Sequence, residues 1–245
     1  METLVRLLGY ADADGATNMS DDEALVRSAA GGVASLRFYG WTAATVSLGY
    51  FQPHAIRLAD SRLSALPWVR RPSGGATLVH HHEITYALAL PGGVPWQSKE
   101  PYLIRVHRVI VNALAELGLA GKVELVGANP IRHGDVLCFQ QFTTGDVLCS
   151  GKKIVGSAQR KYRHAILQHG SILLAMSEHA PQLPGIKEIA GVTLAAKQLE
   201  DSIVHTLAKE TSWRIEQGTW SDREKSEIEQ LIVERYANAE WNERR

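Results

Sequence analysis

The chain has 245 residues, and its 26 lysines and arginines balance its 26 aspartates and glutamates. This length predicts one large domain, spanning 1–245, that encloses a substantial core. The balanced charge argues against nucleic acid or an anionic membrane as a partner, because the protein as a whole would not attract either. No window reaches the roughly 20 apolar residues that span a bilayer, and the N-terminus lacks the apolar core of a signal peptide. We therefore expect a cytoplasmic protein.

The N-terminal part of the chain predicts one helix followed by several short strands. Ser20 and Glu23 have the capping-box spacing, and two glycines close the segment, which predicts a helix over 20–32. The first few residues are expected to form a tail. Stretches rich in β-branched and aromatic residues, separated by glycine and proline, predict strands over 33–41, 44–51, 68–71, 76–81 and 84–90.

The middle of the chain predicts a long helix and then further strands. Apolar residues at helical spacing run from Pro101 to Leu117, where Gly118 ends the pattern, so we expect a helix that lies on the sheet. Short β-like runs follow the helix. They are KVELVG, GDVLC, KKIVGSA and HAILQHGSILLA.

The C-terminal third is predicted to be helical. An amphipathic helix is expected over 194–210, and Ser221 with Glu224 caps a last helix over 223–241, followed by NERR as a tail. Strands in the middle and helices at the ends predict an α+β fold, in which helices cover a mixed and mostly antiparallel sheet.

The stretch RRPSGGATLVHHHEITY has more glycine, histidine and charge than a packed strand needs. Gly74 and Gly75 let the backbone turn tightly and approach a ligand, while Arg70 and Arg71 could meet a carboxylate or a phosphate. A simple hairpin turn is the alternative interpretation of the two glycines.

The stretch GKKIVGSA places small residues, Gly156, Ser157 and Ala158, in an otherwise bulky β pattern. Small residues in a strand are typical of a close approach by a ligand or another backbone. Lys152 and Lys153 could instead be a solvated pair that protects a strand edge. Because neighbours in a strand point to opposite faces, at most one of the two lysines can face a pocket.

Two cysteines, Cys138 and Cys149, lie in GDVLCFQQFTTGDVLCSG. They form neither a disulfide framework nor a CxxC pair. Each could be a small buried hydrophobic residue, and at least one could be a working thiol.

Six stretches, taken in chain order, resemble the lipoate-protein ligase and octanoyltransferase family, whose fold is shared with biotin-protein ligase. They are WTAATVSLGYFQ, RRPSGGATLVHHHEITY, CFQQFTTGDVL, GKKIVGSAQRK, LQHGSILL and YANAEWNERR. The resemblance runs from about Trp41 to the end of the chain. SLGYFQ, HEITY and Cys138-Phe139 are most similar to the branch that uses a cysteine nucleophile. We expect no counterpart to the accessory C-terminal domain of two-domain ligases.

The resemblance implies an acyltransferase that moves an octanoyl or lipoyl group to a specific lysine of a lipoyl domain or a glycine-cleavage H protein. The donor would be a thioester on an acyl carrier protein or an acylated H protein. Cys138 would form the acyl-enzyme. Lys153, which matches the active-site lysine of the family, would orient the acyl carbonyl or raise the thiolate fraction. This route requires no metal and no cofactor.

The expected substrate-binding residues lie in the stretches that resemble the family, and several of them are small residues that would let a ligand come close to the backbone. They are Arg70, Gly74, Gly75, Ala76, His80, Gly156, Ser157, Ala158, His169 and Gly170. Two positions depart from the family pattern: His81 stands where an aspartate is usual, and Ala76-Thr77 replaces the usual residues after the glycine pair.

Two other functions remain open. In an ATP-dependent ligase, Lys153 would contact an acyl-adenylate formed from Mg-ATP, and Cys138 would be merely buried. A non-catalytic relative would bind acyl groups without turnover. A metal site at His80, His81 and His82 is not expected, because strand neighbours alternate sides and further ligands are not evident in the sequence.

Overall fold

The computed structural model describes residues 3–93, 100–127 and 137–245. The strands are β1 (Leu4–Ala13), β2 (Ser35–Trp41), β3 (Thr45–Leu48), β4 (Trp68–Arg70), β5 (Leu78–His80), β6 (Glu83–Leu90), β7 (Val123–Leu125), β8 (Val147–Cys149), β9 (Lys152–Tyr162), β10 (Ala165–Leu173) and β11 (Arg214–Gly218). The helices are α1 (Gly15–Ala30), α2 (Ser61–Ser64), α3 (Tyr102–Leu114), α4 (Ile186–Ala190), α5 (Ala196–Thr211), α6 (Asp222–Leu231) and α7 (Ala239–Asn242).

Eight of the described strands form one mixed sheet, in the order β11-β1-β2-β6-β10-β9-β8-β7. β1 is parallel to both of its neighbours, and the pairs from β2 to β7 are antiparallel. Strands β4, β3 and β5 form a second sheet. The α+β fold and the mostly antiparallel mixed sheet predicted from the sequence are therefore confirmed.

Helices cover both faces of the large sheet, so its central strands β2 and β6 are buried along their whole length. On one face, α3 and α5 pack against Leu36 and Phe38 of β2. On the other face, α1 and α6 share a core with Tyr39 and Trp41. Consecutive residues of β2 thus enter different cores, as the two-residue period of a strand requires. No helix within the described residues is both long enough and apolar enough to cross a bilayer.

The N-terminal segment differs from the prediction because it enters the sheet as β1 instead of forming a tail. Asp14 then caps α1, which begins at Gly15 and not at Ser20. Ser20 lies inside the helix, where its hydroxyl donates to the carbonyl of Ala16. The sequence pattern predicts neither β1 nor β11, since their parallel pairing joins segments that are far apart in the chain and leaves no local turn signal.

The helix predicted from Pro101 is confirmed as α3, which is followed by a wider turn over Ala115–Leu119. Gly118 has a φ of 91° in this turn, a conformation that glycine adopts without strain. The run GDVLC occurs at 134–138 and at 145–149. Its second copy contains β8, whereas 134–136 lies outside the described residues.

At the C-terminus, the capping box of Ser221 and Glu224 is confirmed. The helix is not continuous to residue 241, however: α6 ends at Leu231, a wider turn follows, and Asn238 caps the short α7. The prediction of a C-terminal tail is also wrong. Asn242 is buried, because the end of the chain packs against β4 and the loop before it.

Asn242 connects the end of the chain to Arg70. Its Oδ1 accepts a hydrogen bond from the backbone N–H of Arg70 at 2.8 Å, and its Nδ2 donates to the carbonyl of Tyr236 at 2.9 Å. The Asn242 carbonyl also accepts from Nε of Arg70 at 2.9 Å. One buried amide therefore holds both β4 and the turn after α6.

We expect Asn242→Ala to lower the free energy of unfolding by about 1–3 kcal/mol, because it leaves two buried backbone groups without partners. Urea unfolding monitored by circular dichroism measures the change. Glu243→Ala, at the exposed neighbouring position, is the matched control and should stay within about 0.5 kcal/mol of the parent. Equal stability of the two variants would contradict the role assigned to Asn242.

Candidate active site

A cavity opens between the large sheet and the loop that joins β4 to β5. Its walls come from β2, β5, β9 and β10, together with Met19 of α1. The sequence-predicted site residues that line it are Gly74, Gly75, His80, Cys138, Gly156, Ser157, Ala158, His169 and Gly170. The structure therefore brings together segments that are widely separated in the chain.

Two glycines in the wall leave no room for a side chain. A Cβ on Gly156 would lie 2.9 Å from Cε of Lys153, and a Cβ on Gly170 would lie 2.0 Å from Oγ of Ser157. Close approach of neighbouring groups therefore explains the small residues in β9 and β10.

Cys138 lies in a short turn at the cavity wall, and it is partly exposed. Its backbone N–H donates to the carbonyl of Thr77 at 2.9 Å, which attaches this turn to the loop before β5. Nζ of Lys153 lies 4.0 Å from Sγ of Cys138 and donates to the carbonyls of Cys138 and Gln141 at 3.2 and 3.0 Å. The ammonium group thus lies directly behind the thiol.

Asp146 is the charge partner of Lys153. Its Oδ2 lies 2.7 Å from Nζ of Lys153, and both side chains are almost completely buried. The same oxygen accepts from the backbone and the hydroxyl of Thr143, at 2.7 and 3.0 Å. Sequence reasoning missed Asp146. The available signal was its place just before a strand that could form a hairpin with the lysine strand.

A β-bulge sets the direction of Lys153. Val147 of β8 pairs with Val155, but Leu148 pairs with Lys153, so Ile154 is an extra residue in β9. Lys153 is buried at this point, whereas Lys152 is exposed. The expectation that only one of the two lysines faces inward is confirmed.

Of the two arginines, Arg71 and not Arg70 lines the cavity. Its guanidinium donates to the hydroxyl of Ser47 at 3.0 Å and to the carbonyl of Ala76 at 2.6 Å. Burial lowers the pKa of Arg71 to about 10, and the nearby Cys138 charge acts in the opposite direction. Arg71 therefore remains a cation at neutral pH and adds positive charge on the side of the thiol.

Arg70 and Ala76 are not in the cavity wall. The buried Arg70 guanidinium donates to the carbonyls of Gly49 and Gln52, at 3.0 and 2.6 Å, and to the C-terminal segment. Burial lowers its pKa, with Arg244 and Arg245 adding to the effect. The expectation that Arg70 meets the substrate is corrected for this cavity: Nε and Nη1 of Arg70 donate to backbone carbonyls, and Ala76 contributes a carbonyl to Arg71.

His80 is held in place on the cavity wall by three contacts. Its ring stacks on Trp41 with centroids 3.9 Å apart, Nδ1 lies 2.7 Å from Oε1 of Glu83, and Nε2 lies 2.8 Å from Oγ of Ser47. Burial acts to raise the pKa of Glu83, but the charge and hydrogen bond of His80, with bonds from neighbouring hydroxyls, lower it overall. Glu83 is therefore a carboxylate that fixes the imidazole.

His169 is held in the same way on β10. Its Nδ1 lies 2.7 Å from Oδ2 of Asp22, and its Nε2 lies 2.6 Å from Oγ of Ser73. The hydroxyl of Tyr39 donates to the same Asp22 oxygen at 2.9 Å. His169 is therefore both a fully bonded buried histidine and a residue of the cavity wall.

The three consecutive histidines do not all belong to a strand. β5 ends at His80, and His81 and His82 lie in the turn before β6 with their rings stacked at 3.7 Å between centroids. Strand neighbours point to opposite faces, so this rule keeps His80 and His81 apart, but it does not apply to His81 and His82 in the turn. Both turn histidines lie beside Glu178 and His179, outside the cavity wall.

His107 of α3 is a buried residue behind the cavity that the sequence did not single out. Its Nδ1 lies 2.5 Å from the carbonyl of Gly145, and its Nε2 lies 2.6 Å from Oγ of Ser157. Burial lowers its pKa to about 4, despite the opposing effects of Gly145 and Asp146. Its position on the inner face of an amphipathic helix was the signal that could have identified it.

The neutral imidazole of His107 fixes the direction of a hydrogen-bond chain. A carbonyl only accepts, so Nδ1 carries the proton and Nε2 accepts from the hydroxyl of Ser157. Tyr86 then donates to Ser157 across 2.6 Å, and Gln168 donates to Tyr86 at 3.0 Å. Ser157 therefore directs its proton away from the cavity.

His107 should make the protein less stable in mild acid. Its pKa is about 4 in the folded chain and 6.5 in the reference state, so the unfolded chain binds the proton first as the pH falls. Between about pH 7.5 and 5 this one group should cost about 2 kcal/mol of stability. His107→Gln should remove that part of the pH dependence in urea unfolding, with the exposed His205→Gln as control. An unchanged pH dependence in His107→Gln would contradict this assignment.

The two cysteines should react very differently. Cys138 is partly exposed beside Lys153, whereas Cys149 is buried, and burial raises the pKa of the Cys149 thiol. At about pH 7.5 we expect iodoacetamide to alkylate Cys138 at least about tenfold faster. Peptide mass spectrometry measures both rates, and unfolding in urea should remove the difference. Preferential labelling of Cys149 in the native protein would contradict the assignment.

Known proteins are similar to this chain over most of its length. The family model described as the lipoyl protein ligase A/B catalytic domain matches residues 14–216. The octanoyltransferase LipM of Kyrpidia tusciae is 31% identical, over 98% of this chain and 98% of that protein. Among solved structures, a lipoate protein ligase of T. acidophilum with bound lipoic acid superposes with a TM-score of 0.77 at 20% identity, covering 99% of this chain and 100% of that one.

A lipoate-protein ligase A bound with ATP superposes equally well, with a TM-score of 0.77 at 20% identity over 99% of each chain. Identities this low establish the fold alone. The family model, by contrast, spans most of the chain and includes Cys138, Lys153 and the glycines of the cavity wall. The chain therefore belongs to the lipoyl protein ligase A/B catalytic domain family.

Proposed function

We propose that the protein is an octanoyltransferase, which moves an octanoyl group from a thioester on an acyl carrier protein to a lysine of a lipoyl domain or an H protein. The observation that carries the proposal is the thiol of Cys138 on the cavity wall, 4.0 Å from the buried ammonium of Lys153. The similarity to octanoyltransferases named LipM supports this substrate class.

In the first step, the Cys138 thiolate attacks the carbonyl carbon of the donor thioester. The bond between that carbon and the carrier sulfur breaks, the carrier leaves as a thiolate that takes up a proton, and the octanoyl group stays on Cys138. Lys153 and Arg71 both bring positive charge close to this sulfur. Positive charge on this side stabilises the oxyanion that develops on the thioester carbonyl.

In the second step, the neutral ε-amine of the acceptor lysine attacks the Cys138 thioester. An amide forms, the Cys138 thiolate leaves, and the amine gives up a proton. Each step exchanges one acyl bond for another, so neither needs ATP. Free octanoate or lipoate would need prior activation by Mg-ATP, which is the reaction of the ligases.

The cavity is suited to the apolar tail of the acyl group. Met19, Trp41 and Leu78 contribute apolar surface, and both cavity histidines are already bonded to buried carboxylates or hydroxyls. An apolar pocket with a few fixed polar groups is the usual form of a small-molecule site. We place the carbonyl at Cys138 and the tail along this wall.

Incubation with an octanoyl thioester of acyl carrier protein, without ATP, should add the mass of one octanoyl group to the protein. Peptide mapping should locate the group on Cys138, and addition of a lipoyl domain should remove it. Cys138→Ser should accumulate no thioester and should lose transfer. Cys149→Ser is the matched control and should retain both.

The opposite pattern would identify a ligase. Its signs are transfer by Cys138→Ser that depends on Mg-ATP and free octanoate or lipoate, with release of pyrophosphate. Binding of octanoyl ligands without transfer in either assay would identify a non-catalytic relative. Either result would overturn the transferase proposal.

A further inference from the structure

Four side chains form a compact group on the surface near the end of β5, here called the histidine cluster: His81, His82, Glu178 and His179. The first two lie in the turn between β5 and β6, and the other two lie in the segment after β10. Backbone bonds already join these segments, because the N–H groups of residues 174 and 175 donate to the carbonyl of His82.

The donor atoms of the cluster converge. Nδ1 of His81 lies 3.5 Å from Oε2 of Glu178, and Nε2 of His179 lies 3.7 Å from Oε1 of the same carboxylate. One donor atom from each of these residues lies within 4.8 Å of the other two. Nε2 of His82 is 4.0 Å from Oε2 of Glu178, so a fourth possible ligand lies at the edge of the group.

These separations are close to those of a zinc site. With metal bonds of about 2.1 Å, the ligand atoms of a tetrahedral zinc ion lie about 3.4 Å apart. The side chains of His81 and His179 are 23% and 31% exposed, which leaves room for the small shifts required. Imidazole nitrogens with one carboxylate oxygen are also a ligand set that zinc and its neighbours in the first transition series prefer over calcium or magnesium.

An ordinary ion-pair network explains the cluster poorly. Glu178 is 69% exposed, and exposed ion pairs contribute little to stability. Protonating His81, His82 and His179 together would bring like charges into contact, since the first two rings stack at 3.7 Å and the third lies 5.8 Å from His81. Nδ1 of His81 now lies 3.0 Å from Oγ of Ser177, a contact that a metal ion would replace, and Nε2 of His179 and the Glu178 carboxylate can offer further lone pairs to the same ion.

We propose that His81, Glu178 and His179 bind a divalent transition-metal ion of the zinc type, with His82 or water as the fourth ligand. The ion ties the turn before β6 to the segment after β10. None of these three ligands lies in the wall of the acyl cavity, which His80 lines. The site is therefore structural and stands independently of the transferase reaction.

Zinc chloride titrated into chelator-treated protein near neutral pH tests the site. Isothermal titration calorimetry should give one ion per chain, and bound zinc should raise the melting temperature, because the ion binds the folded state in preference to the unfolded one. Cobalt(II) bound in place of zinc should give the visible absorption bands of a four-coordinate, tetrahedral site.

Variants assign the ligands. His81→Ala, His179→Ala and Glu178→Gln should each weaken zinc binding by at least about tenfold, and Glu178→Gln changes an exposed group that the fold does not need. The exposed His205→Ala is the matched control and should bind like the parent.

The thiol is the competing zinc ligand, and Cys138→Ser distinguishes the two sites. Binding that survives in Cys138→Ser and is lost in His179→Ala supports the proposal. Binding that survives in His179→Ala and is lost in Cys138→Ser overturns it, as does the absence of zinc binding to the parent protein. Neither result bears on acyl transfer.

Discussion

The buried ion pair between Lys153 and Asp146 is the constraint on which the site depends. An isolated ammonium in the interior would cost several kcal/mol, and Asp146 with the carbonyls of Cys138 and Gln141 compensates for that cost. These bonds attach the cysteine turn to the β8–β9 hairpin. They also leave little space at position 156, where a Cβ would lie 2.9 Å from Cε of Lys153. Charge, backbone position and residue size at the site therefore follow from one interaction.

The polar side chains around the cavity form hydrogen bonds with other protein groups, whereas the Cys138 thiol lies on the cavity wall. The Ser47 hydroxyl accepts from Arg71 and can donate to His80, whose other nitrogen meets Glu83. His169 is held by Asp22 and Ser73 in the same way. Such chains fix side chains before any ligand arrives, so little reorganisation accompanies the reaction.

Local patterns predicted the strands from β2 to β10, the long helix over the sheet and the inward direction of one of two adjacent lysines. Local patterns could not predict contacts between residues or strands that are far apart in the sequence. Asp146 meets Lys153 only because of a bulge, and β1 meets its neighbours only through parallel pairing. Capping-box spacing was informative at Ser221 but misleading at Ser20, since the same spacing also occurs inside a helix. Arg70 and Arg71 are equivalent in sequence, and only tertiary contacts decide which one faces the cavity.

The extra residue in β9 has a consequence for insertions and deletions. Removing Ile154 would leave the pairs of the β8–β9 hairpin intact, with Leu148 still opposite Lys153 and Cys149 still opposite Lys152. Lys153 would then directly precede Val155, and adjacent residues of a regular strand point to opposite faces. The loss of one residue that lies outside the cavity would thus turn the ammonium group away from Asp146 while the pairing of the hairpin stayed the same.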